Sequence, residues 1–335
     1  MSDFTLVTCP EGQRESQHCV HGKFRSFFVR ISDFLNKGGC EFELSTVRFD
    51  EQPGFFILTL PLDLCELGNM GARSARTFRR RMARFCAEKN CGRLVVPLNI
   101  SGALLFQGIE FAAFTGNYLY RSLMLDIIRE ICLKRGIEAH RADIAVICDQ
   151  KTELLFSILY MLLPQIKYMT VATAEESPIE QKMGEIYGEY GVSVRVTDSI
   201  ESIKGADLII NLSSSPLQPH VGSFSSKAAV LNYGGRWIEK VMRGSVIING
   251  LRVKLPHEIT SRLPSSFYNY CKTAEFAEII LSYRLGIEND VLGGKYTFGK
   301  MSHIANEFRK AGCKITGFVG RHSLLKPEEL MAKNN

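Results

Sequence analysis

Asp143-Ile-Ala-Val-Ile-Cys-Asp149 opens the stretch that decides the fold: a short apolar run, rich in β-branched residues, that ends in an acid. An apolar segment of helical length follows, Thr152 to Leu163, and then a second strand-like run, Tyr168-Met-Thr-Val-Ala-Thr173. An amphipathic helix pattern (Ile179 to Tyr190), a strand (Val192 to Val196), a short helix (Ile200 to Lys204) and Asp207-Leu-Ile-Ile-Asn-Leu212 continue the series. Ala228-Ala-Val-Leu-Asn-Tyr233 closes it. Strands alternating with helices at this spacing imply right-handed crossovers and a buried parallel sheet. The expected class is α/β, with a doubly wound, Rossmann-like sheet over residues 141–264.

Outward from this stretch, a smaller α/β sheet domain is expected over residues 1–115. Phe4–Thr8, Glu41–Phe49 (alternating with period two), Phe55–Leu60 and Arg93–Leu98 read as strands, and Phe24–Leu35 and Ala72–Lys89 as helices. Thr115 to Arg135 reads as one long helix stopped by Gly136, so 116–140 is expected to connect the domains. Phe267–Leu285 and Phe298–Ala311 read as helices and Lys314–Val319 as a strand. That strand is expected to return to the first sheet, making the first domain 1–115 plus 265–335.

At 335 residues the chain has the length of two domains, and 45% hydrophobic with 23% charged residues is ordinary for a globular protein. A net charge of +6 permits an anionic ligand without calling for nucleic acid. No apolar run reaches the ~18–20 residues of a membrane span, and Met1-Ser-Asp-Phe-Thr-Leu lacks a signal-peptide pattern. The expectation is a cytoplasmic protein with a small-molecule ligand and no membrane, compatible with a homodimer. The ten cysteines are scattered, several within apolar patterns, as reduced buried thiols would be. Cys9, His18, Cys19 and His21 lie near one another, but without CxxC or HxxxH spacing, so no metal site is expected.

The first strand–helix turn of a dinucleotide domain normally carries GxGxxG, whose glycines let the backbone approach a pyrophosphate. Here it reads Cys148-Asp-Gln-Lys-Thr-Glu153, without glycine. Asp149 sets a negative charge near incoming phosphates, Lys151 offsets it, and Thr152 is suited to cap the next helix. Glu175 and Glu176 follow the second strand, where an acid would bond an adenosine ribose or simply favour a helix N-terminus. Asn211, Ser213 and Ser214, in Asn211-Leu-Ser-Ser-Ser-Pro216, and Asn232 and Tyr233, before Gly234-Gly235, share the carboxyl edge where such sheets bind ligands. The paired glycines either leave room for a ligand or form a turn. Asn99, Ser101 and Asn117 are candidates for the substrate side of an interdomain cleft. On the basic helix, Arg73, Arg76, Arg80 and Arg84 fall on one face by three- and four-residue steps, a geometry for anions or for a solvated surface.

This layout resembles the two-domain shikimate dehydrogenase-like group. Ala206-Asp-Leu-Ile-Ile-Asn-Leu-Ser213 looks like that family's strand before the nicotinamide-side loop, and Gly244-Ser-Val-Ile-Ile-Asn-Gly-Leu251 like its later strand and turn. The resemblance covers about residues 95 to 285 in order of elements, and it implies NAD(P) as the cofactor candidate and an oxidoreductase. The family's catalytic lysine and aspartate have no counterparts in Pro97-Leu-Asn-Ile-Ser-Gly102 or Thr115-Gly-Asn-Tyr-Leu-Tyr120, so architecture is carried over and the reaction is not. Three readings follow. One is a protein binding a nucleotide or small polar metabolite in the cleft, as an atypical NAD(P)-dependent oxidoreductase if it is an enzyme. Another is a non-catalytic Rossmann-like scaffold acting through protein or polyanion partners. The last is a group-transfer enzyme such as a methyltransferase.

Overall fold

The computed structural model describes residues 4–9, 42–49, 52–149, 152–174, 176–217, 224–225, 227–263, 267, 269–321 and 323–331. The helix expected at Phe24–Leu35, together with His18, Cys19 and His21, lies outside them. The chain divides into two compact units: 1–115 with 256–271 and 282–292, and 116–255 with 272–281 and 293–335. The backbone therefore crosses between units at 115/116, 255/256, 271/272, 281/282 and 292/293.

The first unit holds a four-stranded sheet of β1 (Phe4–Thr8), β2 (Glu43–Phe49), β3 (Gln52–Thr59) and β4 (Arg93–Val95), in the order β2-β3-β1-β4. β1 runs parallel to β3 and β4, and β2 is antiparallel to β3 at the sheet's edge. Between β3 and β4 come α1 (Leu64–Gly68), capped by Asp63 in a reciprocal box with Glu66, and α2 (Ala72–Glu88). α2 buries Ala75, Phe78 and Met82 in the core with Val7, Leu58 and Val96. Phe4 stacks on Phe55 at 4.8 Å and on Tyr283 at 4.0 Å between ring centres. The strand expected from Arg93 to Leu98 ends at Val95. Pro97 has no amide to give a ladder, and it opens a short helix, Leu98–Ser101, instead.

The second unit contains the parallel sheet read from the sequence. Its strands are β5 (Asp143–Cys148), β6 (Tyr168–Thr173), β7 (Val194–Thr197), β8 (Leu208–Asn211), β9 (Ala229–Asn232) and β10 (Val246–Ile248). Their order is β10-β9-β8-β5-β6-β7, every pairing parallel, so the winding reverses between β5 and β8. All six residues of β5 except Asp143 are buried, as a central strand covered on both faces requires. Crossovers include α5 (Glu153–Leu162) after β5 and α6 (Glu176–Tyr190) after β6.

Two expectations are corrected here. The single helix from Thr115 to Arg135 is two, α3 (Asn117–Ser122) and α4 (Met124–Arg135), with Leu123 at φ −88°, ψ 11° between them. Ser122 Oγ donates to the Tyr118 carbonyl one turn back at 2.8 Å, a competing bond that bends helices. Lys314–Val319 does not return to the first sheet. It pairs antiparallel with β11 (Gly250–Lys254) of the second unit, becoming β12, and places Phe318 opposite Leu251, both buried. Two helices precede β12 in sequence, α7 (Ala274–Leu285) and α8 (Phe298–Lys310).

Candidate functional site

In a doubly wound sheet the ligand crevice opens beyond the carboxyl ends of the strands where the winding reverses. Here that point lies between β5, followed by Asp149, and β8, followed by Ser213 and Ser214. The Asp149 carboxylate spans it. Oδ2 accepts from the Ser214 amide at 2.9 Å and the Ser214 hydroxyl at 3.0 Å, and Oδ1 accepts from the Ser213 hydroxyl. The loop after β9 packs directly on these serines. The Ser213 carbonyl accepts from the Gly235 amide at 2.8 Å and from Trp237 Nε1 at 3.0 Å. A Cβ at Gly234 would lie 2.0 Å from the Ser213 carbonyl oxygen, and one at Gly235 2.1 Å from that of Ser214.

Beside the crossing runs a ladder of asparagines. In-register pairing sets Asn211 against Asn232, and Asn249 follows β10 one rung beyond Ile248. Asn211 Nδ2 donates to Asn232 Oδ1 at 2.8 Å, and Asn232 Nδ2 donates to Asn249 Oδ1 at 2.9 Å. Asn249 Nδ2 in turn reaches Glu239 Oε1 and the Gly320 carbonyl, each at 3.4 Å, while Asn211 Oδ1 accepts from the Ser213 amide at 3.2 Å. With Asn211 and Ser213 wholly buried, unpaired amides here would carry a desolvation penalty, and the ladder removes it.

Of the remaining candidates, Thr152 caps α5 through Oγ1, which accepts from the Leu155 amide at 3.1 Å. Tyr233 donates its hydroxyl to the Tyr120 carbonyl at 3.4 Å and its own backbone carbonyl accepts from Arg121 Nη2 at 3.0 Å. Asn117 is the first residue of α3, and Asn99 and Ser101 sit in the first unit's Leu98–Ser101 helix. Lys151 and Glu175 lie outside the described residues. Glu176 is the first residue of α6.

The sequence reading missed the aromatic setting of Arg121. Its guanidinium lies 4.4 Å from the centre of the Tyr296 ring and 6.0 Å from that of Tyr233, while Tyr120 packs on Tyr233 at 4.4 Å. Burial pushes the Tyr120 and Tyr233 hydroxyls well above the ordinary range, and the Arg121 charge opposes this in both. It missed Glu278 too, a buried carboxylate that accepts from the amides of Gly116 at 3.0 Å and Leu119 at 2.8 Å, at the N-terminus of α3. No sequence spacing ties residue 278 to residue 116. The asparagine ladder did leave a signal: Ile209-Ile-Asn211 and Val230-Leu-Asn232 each end a strand with asparagine, and in Ile247-Ile-Asn249 the asparagine is the first residue after the strand.

Among the described residues no group of three or more His, Cys, Asp or Glu could hold a metal ion, and no helix is long and apolar enough to cross a membrane. No protein-family model matches the chain, and no curated protein matches it. Among solved structures, L-tryptophan dehydrogenase from Nostoc punctiforme is 11% identical, with 91% of this chain and 79% of that one covered, at a TM-score of 0.30. Ornithine carbamoyltransferase from Pyrococcus furiosus is 12% identical, covering 93% and 85%, at 0.27. A chorismate mutase/shikimate 5-dehydrogenase fusion protein from Clostridium acetobutylicum is 14% identical, covering 87% and 99%, at 0.24. Likeness at this level carries no statement about activity.

Proposed function

We propose that the second unit is a Rossmann-like scaffold whose ligand crevice is filled by its own side chains, and that the protein works by binding partners rather than by carrying a dinucleotide. The observation behind this reading is the Asp149 carboxylate held across the winding reversal by Ser213 and Ser214. A pyrophosphate entering there would meet a like charge, costing about 4 kcal/mol per pair at ~4 Å and an effective dielectric of ~20. It would also break hydrogen bonds to a charged group, worth about 1.5–3 kcal/mol. Together these remove most of the ~8 kcal/mol that micromolar binding represents. The turn also lacks the glycines that would let phosphate approach the backbone.

The convergence of Asn211, Ser213 and Asn232 on one edge supports the second reading, a small polar metabolite or NAD(P) held there by an oxidoreductase. Thermal unfolding with NAD, NADP, their reduced forms and S-adenosylmethionine separates the two. The scaffold reading expects no stabilisation by any of them. A ligand at about a hundred times its dissociation constant would add ~2.7 kcal/mol. Stabilisation of that size, abolished by Asn232→Ala, would overturn the scaffold reading and restore the oxidoreductase.

A further inference from the structure

α2 carries six arginines against a single acid, Glu88. Its inner face is committed to the core, and Arg79 is engaged locally: Nε and Nη2 donate to the carbonyls of Leu105 and Leu104 at 3.0 and 2.8 Å. The outer face presents Arg73, Arg76, Arg80 and Arg84, all exposed. Arg84 pairs with Glu88 at 2.7 Å, while the guanidinium groups of Arg73, Arg76 and Arg80 have no ion pair among the described residues. At 1.5 Å rise per residue these charges stand about 4.5, 6 and 6 Å apart along the helix. That approximates the ~6.6–6.8 Å repeat of same-side residues in an extended peptide.

The stripe leads into a groove of about 620 Å³ between the C-terminal half of α2 and the start of β2. Phe42 and Phe85 form an apolar surface in it, their rings 5.3 Å apart, with Arg81, Arg84 and Lys89 alongside. Its second wall is an edge strand: among the described residues no strand pairs with the outer side of β2. Such an edge offers alternating amides and carbonyls that an extended peptide backbone meets in register as an added strand. Glu43 and Glu88 also line the groove, so its occupant there is an apolar side chain and the acidic residues lie along the arginine stripe.

We propose that this face of the first unit docks an extended acidic peptide segment of a partner protein, its carboxylates meeting Arg73, Arg76 and Arg80 and an apolar side chain entering the groove on Phe42 and Phe85. The proposal deepens the scaffold reading by naming a partner class, and it rests on that reading. The two fail separately, since nucleotide stabilisation reports on the second unit and peptide binding on α2.

The test uses the full chain and a fluorescein-labelled peptide of about twelve residues alternating glutamate with leucine, followed by fluorescence anisotropy. Binding is expected to weaken by about tenfold or more in the double variant Arg76→Ala, Arg80→Ala, and steeply with added salt. Replacing the leucines by serine is expected to weaken it again, reporting on the groove. Both arginines are exposed, so the variant should keep its far-ultraviolet circular dichroism, which verifies that lost binding is not lost fold. Absence of binding to the unaltered protein, binding unchanged in the double variant, or tighter binding of a single-stranded oligothymidine of equal charge would each overturn the proposal.

Discussion

A methyl group at Gly234 has nowhere to go, because the neighbouring atom is a backbone carbonyl rather than a side chain that could swing aside. Gly234→Ala is expected to destabilise the protein by about 3 kcal/mol, at the upper end of the range for overpacking, read as a lower urea midpoint. The sequence offered two readings of Gly234-Gly235, ligand space or a turn. The close approach they permit is to the serine loop of the same chain, and no local pattern distinguishes that from approach to a ligand. Asp149 was legible as a negative charge at the turn, while its partners, 64 and 65 residues away, were not. The tyrosines give a pH prediction. Burial raises the folded-state pKa of Tyr120 and Tyr233 above the ordinary value of 10.0, so their contribution to stability is complete below that pH and is lost as pH rises toward the folded-state values. Tyrosinate absorbance is expected to complete only as the protein unfolds in alkali. Ionisation of every tyrosine with native circular dichroism retained would contradict this.

Helix and strand identity in the second unit could be read because short β-branched runs alternate with segments of helical length, and the parallel order follows from that alternation. Breaks within elements are harder. The division at Leu123 falls beside a hydroxyl that turns back on its own helix, while the apolar pattern on either side runs on without interruption. α6 offers an element-scale test of how much stability propensity supplies. Gly184 and Gly188 are exposed, and a Cβ at either would meet nothing within 4 Å. Gly188→Ala is therefore expected to stabilise the protein by about 0.5–1 kcal/mol, the helix-interior difference between the two residues. An unchanged or lower urea midpoint would show that α6 is strained or loosely formed at that turn.

At the scale of the molecule, two sheets of different topology were legible, but nothing local in residues 256–271 or 282–292 says which of them those segments join. Membership is fixed by contacts such as Phe4 and Phe114 against Tyr283, and Arg93 Nη1 donating to Asn289 Oδ1 at 2.9 Å. Neither unit is consequently a continuous piece of chain. Residues 116–255 expressed alone lack Glu278 at the start of α3 and the β12 partner of β11. That fragment is expected to give a poorly dispersed amide spectrum, whereas 116–335 is expected to show native-like dispersion for the six-stranded sheet. Sharp dispersion from the shorter fragment would show that the sheet stands without its later segments.

The five crossings have a consequence for how the protein is made. Residues 4–115 leave the ribosome early, yet Tyr283 and Asn289, which belong to their unit, follow after more than half the chain. At ~5–20 residues per second, making residues 116–292 takes roughly 9–35 s. Throughout that interval the apolar face of Phe4 and Phe114, which Tyr283 covers in the finished fold, is nascent surface. The first unit is begun first and completed late, so its core stays open on that side until the segment 282–292 has been made.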